Sequence, residues 1–363
     1  TGANDNVIGG ADVDNGNLIS GQDVNDMSSG TAISISSNNN VIQGNIIGPQ
    51  KNGTSVMPGS QQQNGIYLYD GDNNLIGDKT TGAGANVIAG NLDRGMWVLG
   101  TANYNIIKGN YIGIASNGTS LLSGGAPTQA VGILMDGGAN PTGNTIGGDA
   151  TSGEGNIISG NNGNGIEFSS VAGCCPNSDV IIGNIIGSQS DGVSAVAGAS
   201  QDNGIYISGS YGNTIGGSTA AGLANSIANN TTYGIYIIGA GANQNLMTEN
   251  AIFNNPTKAI NINYGGSQGN DGKPVPSINA ASSATLVYGT AEANSLVEIF
   301  KNTTGNGQHA TTYVDFTTAD GAGAWSKVVS LASGDYVVAT ARTAANGNTS
   351  ELSNIVSIVL PVE

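Results

Sequence analysis

One short motif, repeated through residues 1–264, decides most of what this chain can fold into. Asn-x-Ile/Leu-Gly followed by Gly or Asp starts at Asn6, Asn74, Asn144 and Asn213. A second motif, Asn-x-Ile-x-Gly/Asn, starts at Asn17, Asn86, Asn156 and Asn225. Both recur about every 69 residues, the mark of a repeat architecture. Between them runs a double motif, Val41-Ile42-Gln43-Gly44-Asn45-Ile46-Ile47-Gly48, with counterparts at Ile106 to Gly113 and Ile181 to Gly187. Ala251-Ile252-Phe253 closes the series.

Each superrepeat holds two turns of a coil, and a Gly-Ile-x-Ile strand marks each turn. Gly65-Ile66-Tyr67-Leu68, Gly95-Met96-Trp97-Val98 and Gly132-Ile133-Leu134-Met135 are examples. Gly165-Ile166-Glu167-Phe168, Gly204-Ile205-Tyr206-Ile207 and Gly234-Ile235-Tyr236-Ile237 continue the set. Ala32-Ile33-Ser34-Ile35 and Ala259-Ile260-Asn261-Ile262 are its variant first and last members. Each interval carries two further Asn-x-Ile strands, which predicts three strands per turn and about eight turns. A single such turn buries little. Turns stacked about 4.8 Å apart give every strand a parallel neighbour on each side, and the inward aliphatics merge into columns. Gly and Asn suit the corners because both tolerate left-handed backbone. Asn45, Asn110, Asn184 and Asn250 are expected at equivalent corners, bonding from turn to turn. The expected fold is an all-β, right-handed parallel β-helix.

Sequence variation concentrates in one loop. Long polar stretches follow Gly48, Gly113 and Gly187: Pro49 to Asn64, Ile114 to Val131, and Ser188 to Asn203. All three leave the same corner on every second turn, so they should stack in a line on one side of the rod.

The repeat stops near residue 264. Residues 265–276 are rich in Gly, Asn, Asp and Pro and read as a linker. Residues 277–363 carry longer, alternating strands such as Leu296-Val297-Glu298-Ile299-Phe300 and Tyr336-Val337-Val338-Ala339-Thr340-Ala341. Turn signals such as Asp320-Gly321 separate them, and six or seven strands in that length read as a small β-sandwich.

Charge narrows the partners. The net charge is −16, from 25 acids and 9 bases, which disfavours nucleic acid and anionic lipid. No apolar run is long enough to span a membrane. The adjacent Cys174 and Cys175 cannot staple distant segments, and C-x-x-C spacing is absent. The chain opens at Thr1-Gly2-Ala3-Asn4 without a signal peptide, so it is expected to be processed or cut from something longer. The expected setting is extracellular or cell-surface.

Asn144-Thr145-Ile146-Gly147-Gly148, Gly155-Asn156-Ile157-Ile158-Ser159-Gly160-Asn161 and Asn164-Gly165-Ile166 resemble bacterial secreted right-handed β-helix repeat proteins. That broad class also includes pectate lyases. Val297-Glu298-Ile299-Phe300, Asp320-Gly321-Ala322-Gly323, Val338-Ala339-Thr340-Ala341 and Asn348-Thr349-Ser350-Glu351 resemble the bacterial Ig-like domain that often follows such repeats. The resemblance covers nearly the whole chain. It implies the fold, and a surface or matrix protein.

The residues for chemistry are sparse, and no catalytic set and no cofactor are assigned. A glycoside hydrolase needs two carboxylates, yet no Asp-Asp pair occurs, and the Gly-His-Gly element of that class is missing. The single histidine, His309, is expected in an exposed loop of the sandwich. A lyase acting on acidic glycans needs a basic cleft; residues 1–264 hold 17 acids against Lys51, Lys79, Arg94, Lys108 and Lys258. Arg94 is expected to pair with its neighbour Asp93. Asp70, Asp72 and Asp78 are weak candidates for Ca²⁺, and Asp12, Asp14, Asp23 and Asp26 form a second such set. Tyr67, Tyr69, Trp97, Tyr206 and Tyr236 are expected to point outward from the Gly-Ile-x-Ile strands and to meet sugars or a protein surface.

No capping helix precedes Asn6, Val7 and Ile8, where the repeat begins. That start predicts end-on association with other copies, in a head-to-tail filament or stalk. The leading expectation is a non-catalytic structural or adhesive protein, with surface glycans or other matrix proteins as further partners. The alternative is a polysaccharide-binding module or a polysaccharide lyase or hydrolase.

Overall fold

The computed structural model describes residues 3–12, 15–22, 30–60, 62–80, 83–125, 129–170, 175–264, 267–345 and 347–358. Asp14, Asp23, Asp26 and Cys174 lie outside them. Asn-x-Ile segments build two sheets of eight strands each. The first runs from Val7–Gly9 to Leu246–Thr248, and the second from Leu18–Ile19 to Ala251–Phe253. Gly-Ile-x-Ile strands build the third, from Thr31–Ile35 through Tyr233–Ile238 to Lys258–Asn261. Pairing between turns is parallel throughout the coil, as in Ile107 opposite Ile146 and Ile112 opposite Ile158. The coil is a right-handed parallel β-helix, and the connections follow the hand that strand twist favours.

One aliphatic per strand of the first two sheets, and two per strand of the third, point inward. Ile42, Ile47, Ile66 and Leu68 from one turn region are fully buried, as are Ile146, Ile158, Ile166 and Phe168 further on. They belong to one continuous core. Val and Ile serve because a pleated strand favours branched side chains in tight columns.

Three lines of amides, buried beyond the first turn, hold the corners. Asn17, Asn45, Asn86, Asn110, Asn156, Asn184, Asn225 and Asn250 form one ladder, in which each side-chain amide donates to the next Oδ1. The four corner residues expected from the motif are thus alternate rungs of eight. A second ladder runs Asn6, Asn40, Asn74, Asn105, Asn144, Asp179, Asn213 and Asn245. A third alternates Gln and Asn: Gln62 donates to Asn91, Asn91 to Gln129, Asn161 to Gln201 and Gln201 to Asn230. Gln sits three residues before the strand glycine and Asn four. The longer side chain therefore compensates for the shorter lead-in. Sequence reasoning missed this ladder, although its spacing to Gly65, Gly95, Gly165 and Gly204 carries it.

Glycine is required where turns meet most closely. Gly147 has φ of +99°, and a Cβ there would lie 1.8 Å from the Ile182 carbonyl of the next turn. Gly147→Ala should destabilise the protein by about 2–3 kcal/mol in urea unfolding, because the backbones of two turns must part. An unchanged midpoint would refute the close approach.

The sandwich consists of a three-stranded antiparallel sheet (Ser277–Ile278, Leu286–Thr290, Ala324–Val328) facing a four-stranded one (Leu296–Asn302, Thr312–Thr318, Tyr336–Arg342, Val356–Ser357). It closes the end of the coil. Phe300, Ala310, Val338 and Leu352 join the coil core beside Met247, Ile252 and Ile260. Ile252 and Ala310 exchange two backbone hydrogen bonds of 2.8 Å, which satisfies the last strand. Residues 267–276 take part in this closure. Asn270 is fully buried, donating to the Asn245 and Thr349 carbonyls, and Lys273 is buried against Glu292. His309, expected exposed, is 6% exposed and accepts the Asn254 N–H through Nε2. Burial holds its imidazole below the usual pKa. Glu298, also buried, accepts from Thr248 Oγ1 and the Glu249 N–H, and desolvation raises its pKa. The sequence could not place either residue, because their partners lie on the coil, about 50 positions earlier.

Candidate functional site: the aromatic face of the third sheet

The three outer faces differ. The second is roofed by the long loops, which stack as expected from their common corner. Ser116 N–H donates to the Gly53 carbonyl, and Ser190 N–H to Gly118. Ser226 Oγ closes the series on the Gly192 carbonyl at 2.6 Å. Ile114, Ile157 and Val196 form a small core beneath. A cleft of about 520 Å³ opens where the loop at Val193, the strand end at Phe253 and the sandwich residues Thr303 and Thr304 converge; its wall is mostly apolar. The first sheet presents an aliphatic and threonine surface, including the exposed Val7 and Ile106.

The third sheet carries the aromatics. Strand register sets Tyr67 beside Trp97, Trp97 beside Leu134, Leu134 beside Glu167, Glu167 beside Tyr206, and Tyr206 beside Tyr236. All belong to one outward column, because they alternate with the buried Ile66, Met96, Ile133 and Ile166. Tyr67 and Tyr69 are nearly parallel, with centroids 6.0 Å apart, and Tyr67 lies 5.0 Å from Trp97. Arg94 sits 4.3 Å from the Trp97 ring and pairs with Asp93 at 2.5 Å. Asp136 Oδ2 accepts the Trp97 indole N–H at 3.1 Å. Burial, with Tyr69, Asp70 and Asp136 nearby, raises the Tyr67 phenol. A second cluster joins Tyr206 to Tyr236 at 5.3 Å and Tyr236 to Tyr233 at 4.8 Å. The five expected aromatics thus fall into two groups, separated by the Leu134 and Glu167 rungs. Tyr233, Arg94, Asp136 and Glu167 are the neighbours that sequence reasoning did not assign to this face. Register decides them, and register is a property of stacking.

The calcium candidates do not converge. Asp70 Oδ1 accepts from the Thr101 backbone and hydroxyl, and Asp72 Oδ1 from the Asn103 N–H. Asp78 lies beyond the next strand of the coil, bonded to Thr80 and paired with Lys108 at 3.2 Å. Among the described residues no three His, Cys, Asp or Glu side chains gather to hold a metal. Lys108 also meets Glu154 at 2.8 Å, and Lys79 Nζ meets the Tyr111 hydroxyl at 2.6 Å. Lys79, Arg94, Lys108 and Lys258 are therefore dispersed along the coil, each engaged with a neighbour. Cys175 is half-exposed, and its N–H donates to Asn140.

Asn6, Val7 and Ile8 lie on the edge strand of the first sheet. Asn6 donates to Asn40, Val7 points outward, and Ile8 is half-buried at the end of an inward column. No described helix is long and apolar enough to cross a membrane.

The fold and this face define a parallel β-helix protein with a capping β-sandwich and an aromatic flank. A scan against protein-family models and a search of curated proteins give no match to the chain.

Proposed function

We propose that this protein is a non-catalytic, extracellular structural or adhesive rod, akin to bacterial secreted β-helix repeat proteins with a terminal Ig-like domain. Its third sheet is the adhesive face, toward surface glycans or matrix proteins. The observation that carries this reading is the outward aromatic column. Aromatic rings at a sheet surface present apolar faces with polar tips, which suits sugar rings and protein partners. The coil supplies rigidity, since each ring stands on a strand fixed by neighbours on both sides. The purified protein should be retained on an insoluble polysaccharide column. A Tyr67→Ser, Tyr69→Ser double variant should lose most retention while its thermal midpoint moves little. Equal retention of the double variant would remove the face from the proposal.

Self-association end-on is the other part of the proposal. The Oδ1 atoms of Asn6 and Asn17 accept no hydrogen bond from a described residue. Because the sandwich closes the far end of each coil, the donors that meet them head-to-tail would come from another copy's sandwich. Electron microscopy at rising concentration should show rods lengthening by whole units; rods of constant length would count against it.

A hydrolase is the second reading, and one observation favours it. Asp136 pairs in register with Ser169 and Glu167 with Leu134, so the two carboxylates are diagonal neighbours on adjacent turns. Such neighbours stand roughly 7–8 Å apart, within the span used by inverting glycosidases. Prolonged incubation with soluble glycans and a reducing-end assay separates the readings. Product formation abolished by Asp136→Asn would replace adhesion by catalysis.

A further inference from the structure

Rungs of the third sheet stand about 4.7–4.9 Å apart, close to the advance of one ring in an extended pyranose chain. The column Tyr67, Trp97, Glu167, Tyr206 and Tyr236 therefore offers an accessible side chain on five of six successive rungs, the third being occupied by the buried Leu134. Aromatic groups occupy both ends. The middle is acidic: Glu167 accepts from Asn164, Asp136 from Trp97, and neither forms an ion pair among the described residues. Asp70, which accepts from Thr101 and forms no ion pair among the described residues, adds a third acid beside Tyr69. Arg94 is held by Asp93 and Trp97. A polyanionic glycan is repelled by such a surface, and a glycan carrying protonated amines is attracted to it.

We propose that this column binds a linear, amino-bearing glycan lying parallel to the rod axis. Its rings rest on Tyr67 and Trp97 at one end and on Tyr206 and Tyr236 at the other. Its ammonium groups face Glu167 in between, with the Asp136 carboxylate adding to the negative field from beneath. The proposal rests on the adhesive reading above and names the ligand class for it.

The test is calorimetric titration of the full chain at pH 6 and low salt. Four probes are used: a glucosamine hexamer, a glucosamine trimer, an N-acetylglucosamine hexamer and a galacturonate hexamer. The glucosamine hexamer should bind tightest, and the trimer about tenfold more weakly, because it cannot reach both aromatic ends. The galacturonate hexamer should not bind. Glu167→Gln should weaken the glucosamine hexamer about fivefold, as loss of one partly exposed charge contact implies. It should leave the N-acetylated hexamer unchanged. Equal binding of the glucosamine and N-acetylglucosamine hexamers, or an unaffected Glu167→Gln, overturns this inference and leaves the adhesive reading standing. Failure of every glycan, together with failure of retention on insoluble polysaccharide, overturns both.

Discussion

Replacing Asp179 by Asn is expected to stabilise the protein at pH 8 by about 4 kcal/mol and to change little at pH 4. Asp179 is the one acid among the asparagines of its ladder. Asn144 donates to its Oδ1 twice, from N at 2.7 Å and Nδ2 at 3.0 Å, and the Asp179 N–H donates to Asn213 Oδ1. Its Oδ2 stands where the other rungs carry an amide donor, and it is buried without a partner. A proton on Oδ2 restores the missing donor, so the neutral acid imitates Asn. Burial pushes this carboxyl up to about 7, against the opposing hydrogen bonds from Asn144. The unfolded chain ionises near its ordinary value of about 3.9. The folded state thus binds the proton more tightly. The contribution to stability is complete below about pH 4. It declines by up to about 1.4 kcal/mol per unit as pH rises to about 7, and is level above that. Asn carries its own donor at every pH and removes the slope. Urea unfolding of both forms from pH 4 to 8 measures it, and parallel curves would refute the neutral acid.

Asn156→Ala should cost about 4–5 kcal/mol, among the largest effects of any single substitution in the coil. Asn156 is fully buried. Its Oδ1 accepts the Asn110 N–H at 3.0 Å and Nδ2 at 2.9 Å. Its own amide donates to the Ile107 carbonyl at 2.8 Å and to Asn184 at 2.9 Å. Alanine leaves the Asn110 N–H without its acceptor, takes one of the Asn110 amide's three acceptors, and withdraws the donor from the Ile107 carbonyl and Asn184 in a dry corner. The control is Asn117→Ala, in an exposed loop, where the amide bridges to Ser120; its cost should stay within about 1 kcal/mol. Asn156→Asp should reproduce the pH slope of Asp179, since it places the same acid in the same kind of rung. Hydrogen exchange of turns on either side should accelerate together in the alanine variant. Loss confined to one strand would show that the ladder does not couple turns.

Much of the coil was legible because its physics is local and periodic. An Asn before a branched pair marks a corner, and a Gly before Ile-x-Ile marks an incoming strand. Eight three-strand turns and the common side of the long loops follow from those marks. The outward aromatics were also visible, because alternation assigns faces within any one strand. Their grouping was not. Which side chains become neighbours depends on where each turn lands on the last, and the intervals vary. Asn86 reaches Asn110 across 24 positions, and Asn110 reaches Asn156 across 46.

The β-helix itself is written in the chain, since short Ile-rich strands at a fixed repeat bury their side chains by stacking turn on turn. Tertiary structure alone decided what the corners and the end do. It made one eight-rung ladder from two motifs, set Asp179 where an amide belongs, and turned His309 and Glu298 of the sandwich onto the end of the coil. It also placed Asp136 and Glu167 among the aromatics. The division has a physical reason. Periodicity specifies the environment of each position, inside or outside, strand or corner. Partners across stacked turns are fixed only when register is fixed, and register is settled by the packing of the whole coil.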